Sequence, residues 1–252
     1  MGQLLEVNDL RVAYGGVVAV DDVCLRVDEG EIVGLIGPNG AGKSSMIDAL
    51  SGYLPSRGGQ VQFQGRSLDR LPAHAVARRG LVRTFQSVEL FDDLTVLENL
   101  QVAAEQPGWV NVLRDLLLPS RPAGVEAVRW ATAWCELDEV ANRYPKELSH
   151  GQRKMVGVAR ALAQRPRLVL LDEPAAGLDS QESLAFGERL RTLPGHGIGV
   201  LLIDHDMGLV LGVCDRIVVI DFGKVIATGT PDQIRSDHRV IEAYLGGHGA
   251  DV

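Results

Sequence analysis

The feature that most constrains this chain is a glycine-rich stretch that follows an apolar run. Residues 37–44 satisfy the complete glycine, lysine and hydroxyl pattern of a phosphate-binding loop. The apolar run 32–36 predicts a buried strand, and residues 44–50 predict the start of a helix. A strand that leads through glycines into a helix points backbone N–H groups and the positive end of the helix dipole at one place, which suits a phosphate. The predicted nucleotide-binding residues of this loop are Gly37, Pro38, Asn39, Gly40, Ala41, Gly42, Lys43, Ser44 and Ser45.

Each residue type in this loop has a physical task. The glycines let the backbone bend close to a ligand, Lys43 reaches the β- and γ-phosphates, and the Ser44 hydroxyl can bind Mg²⁺. A glycine turn with an exposed lysine is the alternative interpretation. The complete pattern, with a strand before it and a helix after it, favours the phosphate site over that turn.

Length and composition limit the classes to which the chain can belong. With 252 residues, 46% of them hydrophobic, it can bury a large core as one domain, alone or with a small insert. A formal net charge of −8 without a basic cluster predicts no nucleic-acid partner. No apolar run reaches the roughly 18 residues that span a bilayer, and the first residues lack a signal-peptide pattern, so we expect the chain to stay in the cytoplasm. The widely spaced cysteines predict buried thiols in a reducing compartment: Cys24, Cys135 and Cys214.

The first part of the chain predicts antiparallel strands. Residues 5–10 and 17–27 alternate apolar and polar side chains and are rich in β-branched residues. Between them, Tyr14 precedes two glycines, which predicts either a hairpin turn with an exposed ring or a flat surface on which a purine base stacks. Two further short strands are predicted, at 58–65 and at 81–86, where Gln86 ends the second.

From residue 94 onward the pattern changes to helical periodicity. Thr95 is predicted to cap a helix, and Glu98 stands at the capping-box position. We therefore predict a helical subdomain over residues 94–164, while residues 1–93 and 165–252 form the core. The tryptophans all fall in this insert, where they predict an insert core or contact with a partner: Trp109, Trp130 and Trp134.

Beyond the insert, strands and helices alternate. This alternation predicts a mostly parallel sheet with flanking helices. The predicted fold class is α/β, a P-loop NTPase core with an N-terminal antiparallel β part and a helical subdomain. The predicted elements are strands at 168–171 and 199–203, a helix at 181–193, a hairpin at 216–227 and a short helix at 231–235.

Two groups of polar residues follow predicted strands. Asp172 and Glu173 end one strand, at the sheet edge where ligands bind. Mg²⁺ between the β- and γ-phosphates would pair with Asp172, and Glu173 would orient and deprotonate the attacking water; a solvated acid pair is the alternative. His205, after the next strand, is predicted to sense the γ-phosphate. The alternatives for His205 are a structural histidine, or a metal site together with Asp204 and Asp206.

A second anion site is predicted at residues 148–152. This segment precedes a helix predicted from 153 to 164, so Ser149 lies near a helix N-terminus among small residues. One nucleotide does not need two phosphate sites in the same chain. We therefore predict that this helix start serves the nucleotide of a second copy.

Together these motifs resemble those of the ATP-binding subunits of ABC transporters, over essentially the full length of the chain. Five motifs occur in the family's order, and His150 is a departure, since the general family has glycine there. For the binding of the nucleotide, the resemblance implies that residues 37–44 form the Walker A loop and that Tyr14 stacks on adenine. For hydrolysis, it implies that Asp172 and Glu173 are the Walker B aspartate and the catalytic glutamate, that Gln86 is the Q-loop glutamine and that His205 is the switch histidine. It also implies that Asp179 belongs to the D-loop and that the signature motif, which acts in trans, consists of Ser149, His150, Gly151 and Gln152.

The resemblance also implies an activity, cofactors and partners. It implies an ATPase that couples the hydrolysis of ATP to membrane transport, with Glu173, His205 and Gln86 as catalytic residues and with Mg²⁺ held by Ser44, Gln86 and Asp172. It implies a second ATP-binding subunit in a homo- or heterodimer, two integral-membrane permease subunits and, indirectly, a solute-binding protein. It implies a peripheral position at the cytoplasmic face of the inner or plasma membrane.

Neighbouring residues are similar to one branch of that family. Residues 82–86, 90–100 and 172–178 are similar to those of importers of branched-chain and other hydrophobic amino acids. The alternatives are a urea or amide importer, a lipid or polysaccharide exporter, and a soluble ABC ATPase without a membrane partner. A small P-loop kinase would not explain residues 148–152.

One surface is predicted to receive a short helix of the membrane subunit. It comprises Gln86 and residues 88–94, which follow a core strand and precede the helical insert. Leu90 and Phe91 would give this surface an apolar centre with an acidic rim. The alternative is that both side chains belong to the core of the insert.

Overall fold

The computed structural model describes residues 2–85, 89–105 and 123–246. The N-terminal part forms an antiparallel sheet of β1 (Gln3–Tyr14), β2 (Val17–Asp28), β4 (Gly58–Phe63) and β5 (Arg66–Ser67). The strand order is β2-β1-β4-β5, and Gly15 and Gly16 form the turn that joins β1 to β2. This sheet confirms the predicted antiparallel part and the hairpin that follows Tyr14.

The larger sheet contains β3 (Ile32–Ile36), β6 (Leu81–Arg83), β7 (Leu168–Asp172), β8 (Gly199–Ile203), β9 (Arg216–Asp221) and β10 (Lys224–Gly229). Its order is β10-β9-β3-β8-β7-β6; β10 pairs antiparallel with β9, and the other described pairs are parallel. Every residue of β3, β7 and β8 is buried, as expected for parallel strands that are covered on both faces. The carboxyl ends of these three strands lie at one edge of the sheet.

Helices flank this sheet, which confirms the predicted α/β class. The capping box predicted at Thr95 and Glu98 is present at the start of the helix that follows it. The helices are α1 (Lys43–Leu50), α2 (Ala73–Arg78), α3 (Val96–Ala104), α4 (Ala123–Trp134), α5 (His150–Ala163), α6 (Ser180–Leu190), α7 (Met207–Val213), α8 (Pro231–Ser236) and α9 (His238–Gly246), with 3₁₀ turns at Asp138–Val140, Pro145–Glu147 and Leu193–His196.

The larger sheet separates two hydrophobic cores. Alternate residues of each strand point to opposite faces, so Ile32 and Ile36 of β3 join the core that contains α5 and α6. Val33 and Leu35 join the other core, between α1 and the antiparallel sheet. No helix in the described ranges is long and apolar enough to cross a membrane.

Several element boundaries differ from the predictions. The strand predicted to reach Gln86 ends at Arg83, and residues 86–88 lie outside the described ones. The helix predicted from residue 153 begins three residues earlier, because Ser149 caps it. Helix α9 was not predicted, since its short stretch was interpreted as part of a glycine- and histidine-rich tail.

The tryptophans and cysteines test two further predictions. Trp134 donates its indole N–H to Thr192 Oγ1 at 3.0 Å, and the ring of Trp130 lies 5.1 Å from that of His196. Both tryptophans therefore pack against residues beyond the predicted insert, and Trp109 lies outside the described residues.

The prediction of buried thiols is wrong for Cys24, which is exposed. The other two cysteines, Cys135 and Cys214, are buried. Burial raises the pKa of both thiols, that of Cys214 to about 12.

Candidate functional site

The glycine-rich loop after β3 is shaped by close backbone contacts. Gly42 has φ 103°, in the left-handed region that favours glycine, and a Cβ there would lie 2.2 Å from the carbonyl oxygen of Ala19. A Cβ at Gly37 would lie 2.0 Å from the carbonyl oxygen of Ile220. The loop is thus wedged between β2 and the end of β9, and only glycine fits at these two points.

Helix α1 begins at Lys43 with Gly42 as its N-cap. Within the described residues no side chain caps this helix start. The first N–H groups of a helix have no intrahelical acceptor, so at α1 they are available to an anion. Ser44 and Ser45 lie in this first turn and add hydroxyl groups beside those N–H groups.

Lys43 folds back over the loop. Its Nζ donates to the carbonyl oxygens of Gly37 at 2.6 Å and Pro38 at 2.9 Å. Burial lowers the pKa of the Lys43 ammonium, while the charges of Glu173 and Asp172 oppose that shift. The negative charges of both carboxylates therefore favour the charged form of Lys43.

Asp172 ends β7 as a buried carboxylate. Its Oδ2 accepts a hydrogen bond from Arg83 Nη2 at 2.9 Å, and Arg83 also pairs with Asp48 of α1. The backbone N–H of Asp172 donates to Thr84 Oγ1 at 3.1 Å. A buried charge requires such partners, so the alternative of a solvated acid pair is wrong for Asp172. The position of Arg83 in the sequence does not mark it as a partner of Asp172.

The oxygen groups at this edge fit a magnesium site completed by phosphates. The Ser44 hydroxyl and the Asp172 carboxylate are oxygen ligands of the kind that Mg²⁺ prefers, and Mg²⁺ is typically held by one or two carboxylates together with substrate phosphates. In the part of the chain that the structure describes, no group of three or more metal-ligating side chains occurs. Two protein oxygens fill only part of the coordination shell of Mg²⁺, so phosphate oxygens and waters would have to fill the rest.

Glu173 and His205 meet where β7 and β8 end. These strands are parallel neighbours, and Asp172 pairs with Ile203. Glu173 Oε1 lies 3.9 Å from His205 Nδ1, which lies 3.7 Å from Asp204 Oδ1. The His205 side chain is 71% exposed, so it is not a core histidine and faces the solvent side of the sheet edge.

Asp204 and Asp206 serve as hydrogen-bond acceptors for the backbone. Asp204 accepts from the N–H groups of Ala175 at 3.1 Å and of Asp206 at 3.0 Å, and burial raises the pKa of its carboxyl group. Asp206 caps α7 and accepts from the hydroxyl of Ser183 at 2.9 Å. Burial raises the Asp206 pKa, but hydrogen bonds from Leu209 and Ser183 outweigh that effect and lower it. These contacts give both acids structural partners and do not support the alternative of a metal site.

The segment 148–152 forms the start of α5. Ser149 Oγ accepts from the N–H of Gln152 at 3.1 Å, and Gln152 Oε1 accepts from the N–H of Ser149 at 3.0 Å, which closes a capping box. His150 packs over the loop that follows β7, because a Cβ at Gly177 would lie 2.5 Å from His150 Cδ2. The first turn of this helix therefore contacts the loop that carries Glu173.

The remaining predicted residues take these positions. Asp179 caps α6 by accepting from the N–H groups of Gln181 and Glu182, both at 2.8 Å. Tyr14 is 49% exposed at the end of β1, in the hairpin whose second strand passes beside Gly42. Gln86 lies outside the described residues.

Comparison with protein-family models gives two matches. Residues 20–176 match the model described as ABC transporter, and residues 224–250 match the model described as branched-chain amino acid ATP-binding cassette transporter. The first match contains the glycine-rich loop, the start of α5 and the end of β7. The second contains β10, α8 and α9.

Curated relatives are similar over nearly the whole chain. The high-affinity branched-chain amino acid transport ATP-binding protein BraF of Pseudomonas aeruginosa is 44% identical over 251 residues, with 96% of this chain and 98% of that protein covered. The protein LivG of Escherichia coli, described in the same words, is 44% identical over 249 residues with the same coverage.

Solved structures share the fold. The ADP conformation of MJ1267, an ATP-binding cassette of an ABC transporter, superposes with a TM-score of 0.84 at 30% identity and covers 98% of this chain and 100% of that one. A dimeric post-hydrolysis state of the cassette MJ0796, bound to ADP and Pi, superposes with a TM-score of 0.77 at 25% identity and covers 90% of this chain and 99% of that one.

Proposed function

Because this chain belongs to the ABC transporter family as an ATP-binding subunit, we propose that it powers the import of branched-chain or related hydrophobic amino acids. Both curated relatives carry that substrate class in their names, and a model of the same class matches the C-terminal part. The observation that carries the mechanism is the meeting of Lys43, Asp172, Glu173 and His205 beside the uncapped start of α1.

We assign the following roles within one nucleotide site. The N–H groups at the start of α1 and the ammonium of Lys43 hold the phosphates, and Tyr14 supports the base. Ser44, Asp172 and Gln86 would hold Mg²⁺, which would supply charge neutralisation at the phosphate oxygens. Glu173 accepts the proton of the attacking water, and His205 contacts the γ-phosphate from the neighbouring strand.

Glu173→Gln tests this assignment. The amide keeps the shape of the side chain but cannot accept the proton, so we expect turnover to fall at least about a hundredfold while ATP still binds. Release of phosphate and nucleotide titration by fluorescence measure the two quantities separately. Hydrolysis at the rate of the original chain would refute the role of Glu173 as general base.

The complete site requires a second copy or a related subunit. We propose that Ser149, His150, Gly151 and Gln152 of one subunit face the nucleotide held by the other, with Asp179 at the same interface. The similar cassette MJ0796 is a dimer with ADP and Pi bound, which supports this arrangement. Two nucleotides held between two subunits would stabilise such a dimer by mass action.

We further propose that two integral-membrane permeases, and indirectly a solute-binding protein, complete the transporter at the cytoplasmic face of the membrane. In this arrangement, residues 94–164 act as a helical subdomain, and the surface of Gln86 and residues 88–94 just before it receives a permease helix. Phe91 is 43% exposed, and Asn99 holds its backbone by accepting from its N–H at 2.9 Å and donating to its carbonyl oxygen at 3.1 Å. Leu90 packs instead against the core, so the apolar centre of this surface is Phe91.

Phe91→Asp tests the contact with the permease. A carboxylate at this exposed position should leave the ATPase activity of the isolated subunit nearly unchanged, because its backbone contacts with Asn99 remain. Uptake by the transporter reconstituted in vesicles should fall, because an apolar contact becomes charged. A parallel loss of both activities would instead make Phe91 a folding residue.

Uptake in cells tests the substrate class. Deletion of this subunit should abolish uptake of labelled leucine, isoleucine and valine, and the original chain but not Glu173→Gln should restore it. Labelled urea serves as the control for the urea and amide alternative. Restored urea uptake without restored leucine uptake would overturn the proposed substrate class while leaving the ATPase assignment intact.

A further inference from the structure

The loop between β7 and α6 begins with a strained residue. Glu173 has φ 48°, in the left-handed region that costs a residue with a side chain about 1 kcal/mol or more. The surrounding structure must therefore hold it there. From one side, the carbonyl oxygen of Ile203 accepts the N–H of Glu173 at 2.7 Å.

Lys154 contacts the carbonyl group of the same residue. This lysine lies in the second turn of α5 and is only 6% exposed. Its Nζ donates to the backbone carbonyl oxygen of Glu173 at 3.3 Å. A buried ammonium group is costly unless it is hydrogen-bonded, so this contact fixes the lysine and the carbonyl group relative to each other.

The first turn of α5 also packs against the loop between β7 and α6 at a second place. A Cβ at Gly177, which has φ 85°, would lie 2.5 Å from His150 Cδ2 and 2.8 Å from His150 Nε2. A Cβ at Gly151 would lie 3.0 Å from Leu178 Cδ2. Helix α5 thus contacts the loop at residues 173, 177 and 178, with no spare space at the two glycines.

We propose that Lys154 is a positioning residue that sets the backbone of Glu173, so that the start of α5 is tied to the general base of its own chain. His150 and Gly177 form the second tie along the same loop. A movement of α5 on contact with a second subunit would then move the backbone that carries the Glu173 carboxylate. This inference rests on the proposed role of Glu173 in hydrolysis.

Lys154→Met tests the inference, with Lys146→Met as the control. Lys146 is an exposed lysine just before the signature segment. Its replacement by methionine changes the net charge by the same amount as Lys154→Met. We expect Lys154→Met to lower kcat about ten- to hundredfold, because small displacements of a catalytic group have effects of this size. The Kd for ATP should change less than about twofold, and Lys154→Arg should recover most of the lost kcat.

A double-mutant cycle separates positioning from a purely structural role. If Lys154 acts through Glu173, Lys154→Met should have no further effect on the residual hydrolysis of Glu173→Gln. Amide hydrogen exchange of residues 173–178 in the nucleotide-free chain should be faster in Lys154→Met than in Lys146→Met.

Three results would overturn the inference. The first is a kcat of Lys154→Met equal to that of Lys146→Met. The second is a residual activity of the variant with both Lys154→Met and Glu173→Gln that equals the product of the two single losses. The third is loss of the cooperative unfolding transition in Lys154→Met alone, which would assign Lys154 to the fold. Glu173→Gln separates this failure from that of the proposed function. If Glu173→Gln is inactive and Lys154→Met is normal, only the positioning role fails.

Discussion

Helices α1 and α5 both begin at predicted anion sites, yet their first turns are built differently. At α1 the N-cap is the left-handed Gly42, and among the described residues no side chain accepts from the first turn. At α5 the N-cap is Ser149, and its hydroxyl and the Gln152 side chain close a capping box. Among the described residues, the first turn of α1 therefore has no side-chain acceptor, whereas at α5 the N–H groups of Ser149 and Gln152 both have acceptors within the chain.

This difference indicates an order of events. The uncapped α1 can bind the phosphates in a single subunit, helped by the ammonium of Lys43. At α5 the Ser149 hydroxyl already accepts from the Gln152 N–H, and its hydrogen can still donate to an anion. Under the proposed function, that anion is the nucleotide held by another subunit. Of the two helix starts, only that of α1 should therefore be needed for one subunit to bind a nucleotide, whereas the assembly of two subunits should need both.

The largest expected effect is on the α1 side of the comparison. Lys43→Ala removes the charged donor that folds over the loop, and we expect the Kd for ATP to rise at least about a hundredfold, since hydrogen bonds of charged groups contribute about 1.5–3 kcal/mol each. Fluorescence titration of the nucleotide measures it. Ser149→Ala is the matched change at α5 and should leave this Kd within about twofold. An unchanged Kd in Lys43→Ala would remove the distinction between the two helix starts.

The second prediction concerns assembly through α5. In the Glu173→Gln background, which slows hydrolysis, ATP should drive the chain into a dimer on size exclusion, and added Ser149→Arg should keep it monomeric because a bulky cation occupies the helix start. Nucleotide binding to the separated subunit should persist in both variants. Equal elution volumes with ATP would contradict the role of α5 at the subunit interface.

The sequence predicts the α1 side of this comparison more completely than the surroundings of Asp172. The glycine pattern dictates backbone geometry locally, because Gly42 needs a left-handed φ and a close approach to Ala19. Arg83 could not be predicted in the same way. Its two partners, Asp48 and Asp172, lie 35 and 89 residues away, so only the tertiary fold brings them together.

The start of α5 and the burial of Lys154 were likewise not predicted correctly from the sequence. The sequence predicts the start of α5 at residue 153, whereas the capping box at Ser149 stabilises the helix from residue 150. The burial of Lys154 was not predicted, since lysine is ordinarily exposed and its acceptor is a backbone carbonyl of another element. Local chemistry was thus predictable from the sequence, and contacts between distant segments were not.

The third prediction measures what the capping box of α5 contributes to stability. Ser149→Ala removes the acceptor for the Gln152 N–H and should lower the free energy of unfolding by about 1 kcal/mol in urea titrations. Thr95→Ala removes the equivalent cap of α3 and should have a similar effect. A cost at Thr95 but none at Ser149 would show that α5 does not depend on its own cap, which would weaken the contrast with α1.

The smallest expected effect concerns a third helix start, that of α9. The Asp237 carboxylate accepts from the N–H of Arg239 at 2.8 Å and from its guanidinium group at 2.7 Å. The side-chain hydrogen bond from Arg239 is the main cause that lowers the pKa of Asp237 to about 2. Because the pKa is lower in the folded chain than in the unfolded one, the contribution to stability is present at neutral pH and is lost as the pH falls from about 4 towards 2.

Asp237→Asn makes this contribution measurable. The urea midpoint of the variant is compared with that of the original chain at pH 7, 5, 4 and 3. We expect a slightly lower urea midpoint for the variant at pH 7. The difference should narrow below about pH 4, where this carboxylate takes up a proton in the unfolded chain while it is still ionised in the folded one. High salt should narrow the difference between the two midpoints at pH 7, because the ion pair of Asp237 and Arg239 is exposed. Glu242→Gln, an exposed acid on the same helix, is the control. A difference that stays constant from pH 7 to pH 3 would show that the cap at α9 acts by hydrogen bonding alone, as at Ser149, and not by charge.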